Sequence, residues 1–532
     1  MTRIRSAITD DNRRWWTLGA MCFALFMIML DNTVVNVALP AIQKDLHSSI
    51  SGLEWTVNAY TLSFAVLLVT GGRLGDIFGR RRMFLLGVIV FGLSSAFIGL
   101  SQSETWLVAG RAAQGIGAAF MMPATLSIIT NAFPAHERGK AIGTWAGVSA
   151  LALAIGPVVG GFLVENVSWQ SIFFLNVPVA VVAVAVTLAA TRESRDESST
   201  HHVDFPGVTA VTVGLSALVL ALVEGNSWGW GSARIVGLLA VSAIGLIAFA
   251  IVERRVVEPM VDFRFFRSRS FVGANLVAFI VSFAMLAMFF FLALYMQNIK
   301  GYSPLQAGVR FLPSTVVIIL VAPIAGRLSD RIGPRPLMTG GLLIVAGSLF
   351  WQGHLQVDTS YGFLIGAFML MGLGMGLVMS PMSTAGMNAV EPSKAGVASG
   401  ILTMSRMVGG TFGVAAMGAL ITGLGKSKID DLLPATPAGQ RQHLADSLGA
   451  GGTRVGGQVG DAVNQAFVYA LNDGLRIGAA VALLGALLAW LLIADRAEAP
   501  AEVGATDVVP AEVGATDVVQ RAEAEAALAE AV

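Results

Sequence analysis

The chain has 532 residues, of which 55% are hydrophobic and only 13% charged, and its 34 basic and 34 acidic residues cancel. Water-soluble domains carry about 25% charged residues, so a soluble fold would lack half of its usual polar surface. Zero net charge gives no basis for nucleic-acid binding, and a single cysteine, Cys22, excludes an internal disulfide or a cysteine-based metal cluster.

Long apolar runs make membrane spans the default, each needing about 20 residues to cross the hydrocarbon. Residues 1–14 form a basic lead, and the apolar stretch behind it is too long for a signal peptide and lacks a cleavage site. It reads as a retained first span. In chain order, spans are expected at 15–40, 53–74, 83–102, 105–131, 140–164, 168–190, 206–224, 232–252, 270–297, 304–328, 335–352, 360–388, 395–424 and 465–494. With the N-terminus in the cytoplasm, the short outer loops carry only Lys44, Arg234 and Lys300. The long outer loop at 425–464 holds Lys426, Lys428, Arg441 and Arg454, and the remaining loop cations fall inside, as cytoplasmic loops require. Dropping or adding a span would invert half of the loops. The expectation is an all-α integral membrane protein of 14 transmembrane helices with both termini cytoplasmic.

The first span contains Asp31, in "MLDNTVVNVALP", ~24 Å from Trp15 along a helix. A carboxylate at that depth costs roughly 2.5–3.5 kcal/mol, so it must face a cavity or a partner. It is either a titrating carboxyl or half of a structural ion pair. After the second span comes "GGRLGDIFGRRRM", residues 71–83. Topology accounts for Arg80, Arg81 and Arg82 but not for Asp76 or for the order Gly72, Arg73, Leu74, Gly75, Asp76. An aspartate at the inner end of a helix can bind the positive N-terminal end of a neighbour, or its arginine, only while that side is closed. It would act as a latch. In the fourth span, Arg111 lies ~7 Å from the outer interface, within one turn of the depth of Asp31, and is its natural partner. A proton on Asp31 would release Arg111; a permanent salt bridge is the alternative. The fifth span places Gly143, Gly147, Gly156 and Gly160 at helical spacing with Pro157 among them, either for tight packing or for a surface on which two bundles rock.

The hairpin has a twin. "GRLSDRIGPR" at 326–335 is identical to "GRLGDIFGRR" at 72–81 in six of ten positions, bringing Gly326, Arg327 and Asp330 into register with the first copy. "GIGAAFMMP" in span four has a weaker echo, "GMGLVMSP", in span twelve. The twin follows span ten rather than span eight, so two helices at 206–252 are inserted between six-helix halves at 15–190 and 270–494. Asn36, Gln114, Glu224, Arg310 and Arg406 are secondary candidates; the last two lack an obvious acidic partner in the second half. Asp473 and Arg476 can satisfy each other. Residues 495–532 carry "PAEVGATDVV" twice in tandem and read as a disordered cytoplasmic tail. "GLGKS" at 423–427 is no Walker A loop, because Leu420 stands where the first glycine is needed. No metal-ligand spacing and no nucleophile elbow stand out. The chain is not expected to be an enzyme or to hold a cofactor, and its energy must come from an ion gradient.

Four elements in order resemble the major facilitator superfamily, in its fourteen-span drug:proton antiporter branch. "LDNTVVNVALP" resembles the first-helix motif, "GRLGDIFGRRR" the signature hairpin with Gly72, Asp76, Gly79 and Arg80 in place, and "GRAAQGIGAA" the fourth-helix motif of Arg111. "GPVVGG" resembles the antiporter element of helix five, with Gly156, Pro157, Gly160 and Gly161. The likeness covers about residues 12–495. It implies a major facilitator fold of two pseudo-symmetric six-helix bundles plus two inserted helices, a monomer in the bilayer of a bacterial inner membrane, and proton-driven export of lipophilic or amphipathic compounds by alternating access. The acidic residues that some members carry in later helices are absent, and Arg310 and Arg406 stand in spans ten and thirteen instead. An uptake symporter for a small polar solute would need buried polar residues in both halves. Export of one native metabolite stays open.

Overall fold

Backbone polar groups find no partner in hydrocarbon, so a chain that crosses it must satisfy them within helices. The computed structural model describes residues 8–48, 50–196, 204–256, 259–449 and 457–494, and among these there is no β-strand. The long helices are α1 (Arg13–Leu46), α2 (Ile50–Phe78), α3 (Arg80–Gly99), α4 (Glu104–Ala132), α5 (Ala135–Asn166), α6 (Ser171–Ala190) and α7 (Phe205–Trp228). They continue as α8 (Ala233–Glu253), α9 (Arg269–Ile299), α10 (Leu312–Ile332), α11 (Pro334–Gln352), α12 (Tyr361–Asn388), α13 (Ala395–Leu432) and α14 (Gly457–Leu492). Side chains cap several starts: Ser103, Asp204, Ser232 and Ser268 each accept a backbone N–H of the first turn, which is why these helices begin where they do.

Among the described residues, twelve helices are long and apolar enough to cross a membrane. The expected fourteen spans are met at twelve; α5 and α11 are the two outside that set. α11 opens on Pro-Arg-Pro, which lowers its hydropathy, whereas α5 opens on the polar run Ala-His-Glu-Arg-Gly-Lys and is apolar beyond it. Two boundaries differ from the sequence reading. The span expected at 304–328 is broken: Pro304–Arg310 is a short helix, Phe311 interrupts it, and α10 starts at Leu312. The long loop expected at 425–464 is largely helical, since α13 runs on to Leu432 and Ala438–Gly449 forms a helix of its own. Residues 1–7 of the basic lead and the tail at 495–532 lie outside the described residues.

Glycines set how closely the helices approach, and they do so twice. A Cβ on Gly87 of α3 would sit 2.7 Å from the Gly117 carbonyl oxygen of α4, and one on Gly374 of α12 would sit 2.7 Å from that of Gly341 on α11. The hairpin turns are a matched pair too, with Gly79 at φ +109° and Gly333 at φ +85°, a region that glycine enters without strain. The duplication seen in sequence is thus carried by the packing. Of the inserted pair, α7 packs on α2 and α13, and α8 packs chiefly on α7 through Gly214 and Gly245. The other face of α8 exposes Val236, Leu239, Ile244, Ile247 and Ile251, a surface that fits hydrocarbon.

Gly87→Leu and Gly374→Leu should each lower thermal stability in detergent by about 1–3 kcal/mol, because the new side chain meets backbone that cannot yield. Gly340→Ala on α11, where a Cβ meets nothing within 4 Å, should leave the midpoint unchanged or raise it. Equal losses in all three variants would refute the close-approach assignment.

Candidate functional site

Two constellations in the apolar interior are built on a fully buried ion pair. The first is on α1 and α4. Asp31 and Arg111 are both 1% exposed, and the Arg111 guanidinium donates to Asp31 Oδ2 at 2.5 Å. The other carboxylate oxygen accepts from Gln114 Nε2 at 3.0 Å and from Asn176 Nδ2 of α6 at 3.2 Å. Ser95 Oγ of α3 accepts from both amides, at 2.8 and 3.3 Å. Arg111 is lodged further by the Thr56 carbonyl of α2 at 3.1 Å, by Gln114 Oε1 at 2.5 Å, and by the Tyr60 ring, 4.2 Å from its guanidinium carbon. The result is a pair of opposite charges, sealed from solvent, with donors on the free carboxylate oxygen and further acceptors on the guanidinium Nε and Nη1. A buried pair survives only when such extra bonds offset desolvation. The cluster also offers each partner a place to rest without the other. An uncharged Asp31 keeps its amide neighbours, and a released Arg111 keeps a carbonyl, an amide oxygen and a ring face.

The second constellation lies at the end of the bundle where the two hairpins sit. Asp76 ends α2, and its carboxylate accepts the backbone N–H groups of Gly396 and Val397, both at 2.9 Å, in the first turn of α13. Arg80 donates to the same carboxylate through Nε at 2.8 Å and reaches on to the carbonyls of Pro392 at 2.8 Å and Ser393 at 2.6 Å. A carboxylate on a helix N-terminus is favoured by the dipole and by otherwise unpaired N–H groups. Cβ atoms on Gly72 or Gly396 would strike the other's carbonyl, so only two glycines allow α2 this close to α13. The twin is built alike. Asp330 ends α10 and accepts from the Gly139 N–H of α5 at 3.1 Å, and Gly326 faces Gly139 as Gly72 faces Gly396. The copies differ at one position: Pro334 stands where Arg80 would be, so the second carboxylate has no arginine from its own hairpin. Arg138 of α5 instead ties across to the Asn388 side chain at 2.9 Å. The stretch after α6 closes the first hairpin from outside, with Glu193 accepting from the N–H groups of Arg81 and Arg82. Near the latch, burial works against ionisation of Asp262, yet its hydrogen bond from Lys394 at 2.7 Å and that from the Arg264 N–H hold its carboxyl below the usual range.

The remaining candidates fall elsewhere. Arg73 is part-exposed, Arg327 is exposed, and neither enters the carboxylate contacts. Gly156 and Gly160 press α5 against Thr33 and Val34 of α1; Gly161 meets nothing within 4 Å, and of Pro157 only the helical backbone is described. The docking between halves on α5 is made instead by Gly139 and Gly143, which face Gly326 and Ala322 of α10. Asn36 is exposed and donates to the Asn32 carbonyl. Glu224 is buried in α7 with an interaction of its own. Arg310 is not inside a span: it ends the short helix Pro304–Arg310, part-exposed, with its guanidinium carbon 3.6 Å from the centre of the Tyr302 ring. Asp473 and Arg476 pair at 3.0 Å. Sequence reasoning missed Thr56, Tyr60, Ser95 and Asn176. It also missed Gly139 and Gly396, although "RGKAIG" at 138–143 and "AGVASG" at 395–400 repeat the same glycine spacing.

These features define a class: a multi-pass helical membrane protein, internally duplicated, with an ion pair sealed in one repeat and carboxylate-to-helix-end contacts between the repeats. Residues 21–414 match the Major Facilitator Superfamily, and the chain belongs to that family of transporters. It is 35% identical to the tetracenomycin C resistance and export protein of Streptomyces glaucescens over 90% of this chain and 91% of that one. It is 38% identical to the puromycin resistance protein pur8 of Streptomyces alboniger over 94% and 95%. Among solved structures, the proton:xylose symporter XylE aligns over 91% of this chain and 96% of its own with a TM-score of 0.61 at 14% identity, a likeness of fold alone.

Arg111→Leu strands a buried carboxylate and should cost about 3–5 kcal/mol, read as a fall in the detergent melting midpoint, whereas the double variant Asp31→Asn/Arg111→Gln should cost much less. A double variant as unstable as the single would show that the pair does not carry mutual charge compensation.

Proposed function

We propose that the chain is a drug efflux transporter that exports lipophilic or amphipathic compounds, antibiotics or dyes among them, in exchange for protons. Its relatives carry names of antibiotic resistance and export across nearly their whole length, which supports the export direction. The single observation that carries proton coupling is the sealed Asp31–Arg111 pair, because both of its members have alternative lodging when Asp31 is neutral. Protonation would loosen α1 from α4, and loss of the proton would draw them together.

In this reading the hairpins face the cytoplasm of a bacterial inner membrane, α5 and α11 also cross to give fourteen spans, and the transporter works as a monomer without a cofactor. The latches at Asp76 and Asp330 hold the inner side shut. They open when substrate is to be loaded. A potential of ~150 mV supplies about 3.5 kcal/mol per charge. At ~1.4 kcal/mol per factor of ten, one proton sustains a gradient of a few hundredfold for a neutral compound.

Inverted vesicles test the coupling. Wild-type protein should accumulate a lipophilic dye on acidifying the lumen, and Asp31→Asn should abolish the pH-driven component. Unchanged pH dependence in that variant would remove Asp31 from the mechanism. In the same vesicles Asp76→Asn should slow turnover with dye affinity largely kept, since the latch touches no substrate. A selective loss of affinity would count against the latch.

A further inference from the structure

Arg406 is a charge that the ion pair and the latches leave unused. It lies eleven residues into α13, ~16 Å from the first turn at Ala395, near the middle of a hydrocarbon layer about 30 Å thick. Among the described residues no carboxylate pairs with it or acts on its charge. Guanidinium does not deprotonate in proteins, so this is a permanent cation at a depth where one is costly. Such charges face the bundle interior or a water-filled cavity.

The burial pattern along α13 shows where it faces. Residues 395–403 are buried without a break, and then Met404, Ser405, Arg406, Met407 and Val408 are all part-exposed. Five consecutive residues go more than once round a helix, so open space lies on more than one side at this level. Phe412, 43% exposed and packed on Phe279 and Phe283, marks the outward side. Arg406 lies ~120° round from it. One stripe of the helix carries Arg406 and Ser399, seven residues earlier, whose hydroxyl is buried without a hydrogen-bond partner. A permanent cation and an unspent hydroxyl thus share one face of α13.

We propose that Arg406 recognises an anionic group, a carboxylate or an ionised phenol, on the exported compound, and that the carrier therefore favours amphipathic aromatic anions over cations of the same shape. The proposal rests on the export reading and narrows its substrate class. The pairing is geometric as well as electrostatic, since a planar guanidinium meets a carboxylate through two parallel N–H groups. Arg111 is spent on Asp31, and Arg310 is stacked on tyrosines at the end of its own short helix.

The test uses two xanthene dyes of like size, dianionic fluorescein and a cationic rhodamine ester, in proteoliposomes of the full chain with an imposed pH gradient. Wild-type protein should transport fluorescein in preference to the rhodamine. Arg406→Gln should cut fluorescein transport about tenfold or more while rhodamine transport holds or rises, and Arg406→Lys should restore part of the loss. Equal loss of both dyes in Arg406→Gln, with no rescue by lysine, would reduce Arg406 to a structural role and overturn the proposal. Wild-type transport of the rhodamine without fluorescein would overturn it as well, and would leave export standing. Transport of neither dye would sink both the anion preference and the export reading.

Discussion

A charge taken out of water is stabilised by a partner close at hand, and three such contacts tie this fold together. Asp31 is answered by Arg111, Asp76 by Arg80 and the N-terminus of α13, and Asp330 by the N-terminus of α5. Each answer ties two helices that the chain separates widely. Because desolvated charges tolerate no half-measures, such a contact is made or fully broken. That property separates a latch from ordinary packing, in which a shift of a few tenths of an ångström loses little.

The duplication shows what each half was free to vary. Backbone features are kept in both copies: glycine pairs between the third and fourth helices of each half, positive-φ glycines at the hairpins, and helix-end aspartates on the opposing half. Charge is not kept. The first half holds the buried ion pair, and the matching helices of the second half are filled with methionine and phenylalanine, Met288 and Phe368 among them. The second half keeps Arg406 instead, which no carboxylate answers among the described residues. Under the proton-coupled reading, geometry shared by both repeats suits a shared motion, and chemistry confined to one repeat would divide ion handling from ligand handling.

Most of this was legible in sequence where a physical rule links spacing to depth. Asp31 and Arg111 could be set at one level because helical rise converts residue counts to ångströms, and the hairpin twins could be aligned because glycine and aspartate have no substitutes there. What stayed hidden are side chains whose bland reading is sufficient. Asn176 stands two residues before Pro178 and looks like a helix start, Ser95 looks like a filler, and Thr56 contributes only its backbone carbonyl, which no sequence can flag. Arg310 was misplaced because hydropathy runs straight through Phe311, where the helix breaks. The docking glycines Gly139 and Gly396 were present as a third echo, masked by the abundance of glycine in a membrane chain.

The ion pair and the latches are not independent, and the packing says why. Within the first half α1 packs chiefly on α5, held by Gly156 and Gly160, while α2 packs chiefly on α4, held by Gly115 against Tyr60 and Ser63. Asp31 belongs to the first of these pairs and Arg111 to the second. The same two pairs carry the two docking helices: α5 seats on α10 at the Asp330 latch, and α2 seats on α13 at the Asp76 latch. The Asp31–Arg111 bond thus helps fix the spacing between the two points at which the first half grips the second. Both latches fit only at one spacing, because their glycines leave no slack. Under the proton-coupled reading, neutralising one carboxylate relaxes that spacing. The latch without an arginine, at Asp330, then has the fewer charge-assisted bonds to lose, so the inner side would part first along α5 and α10.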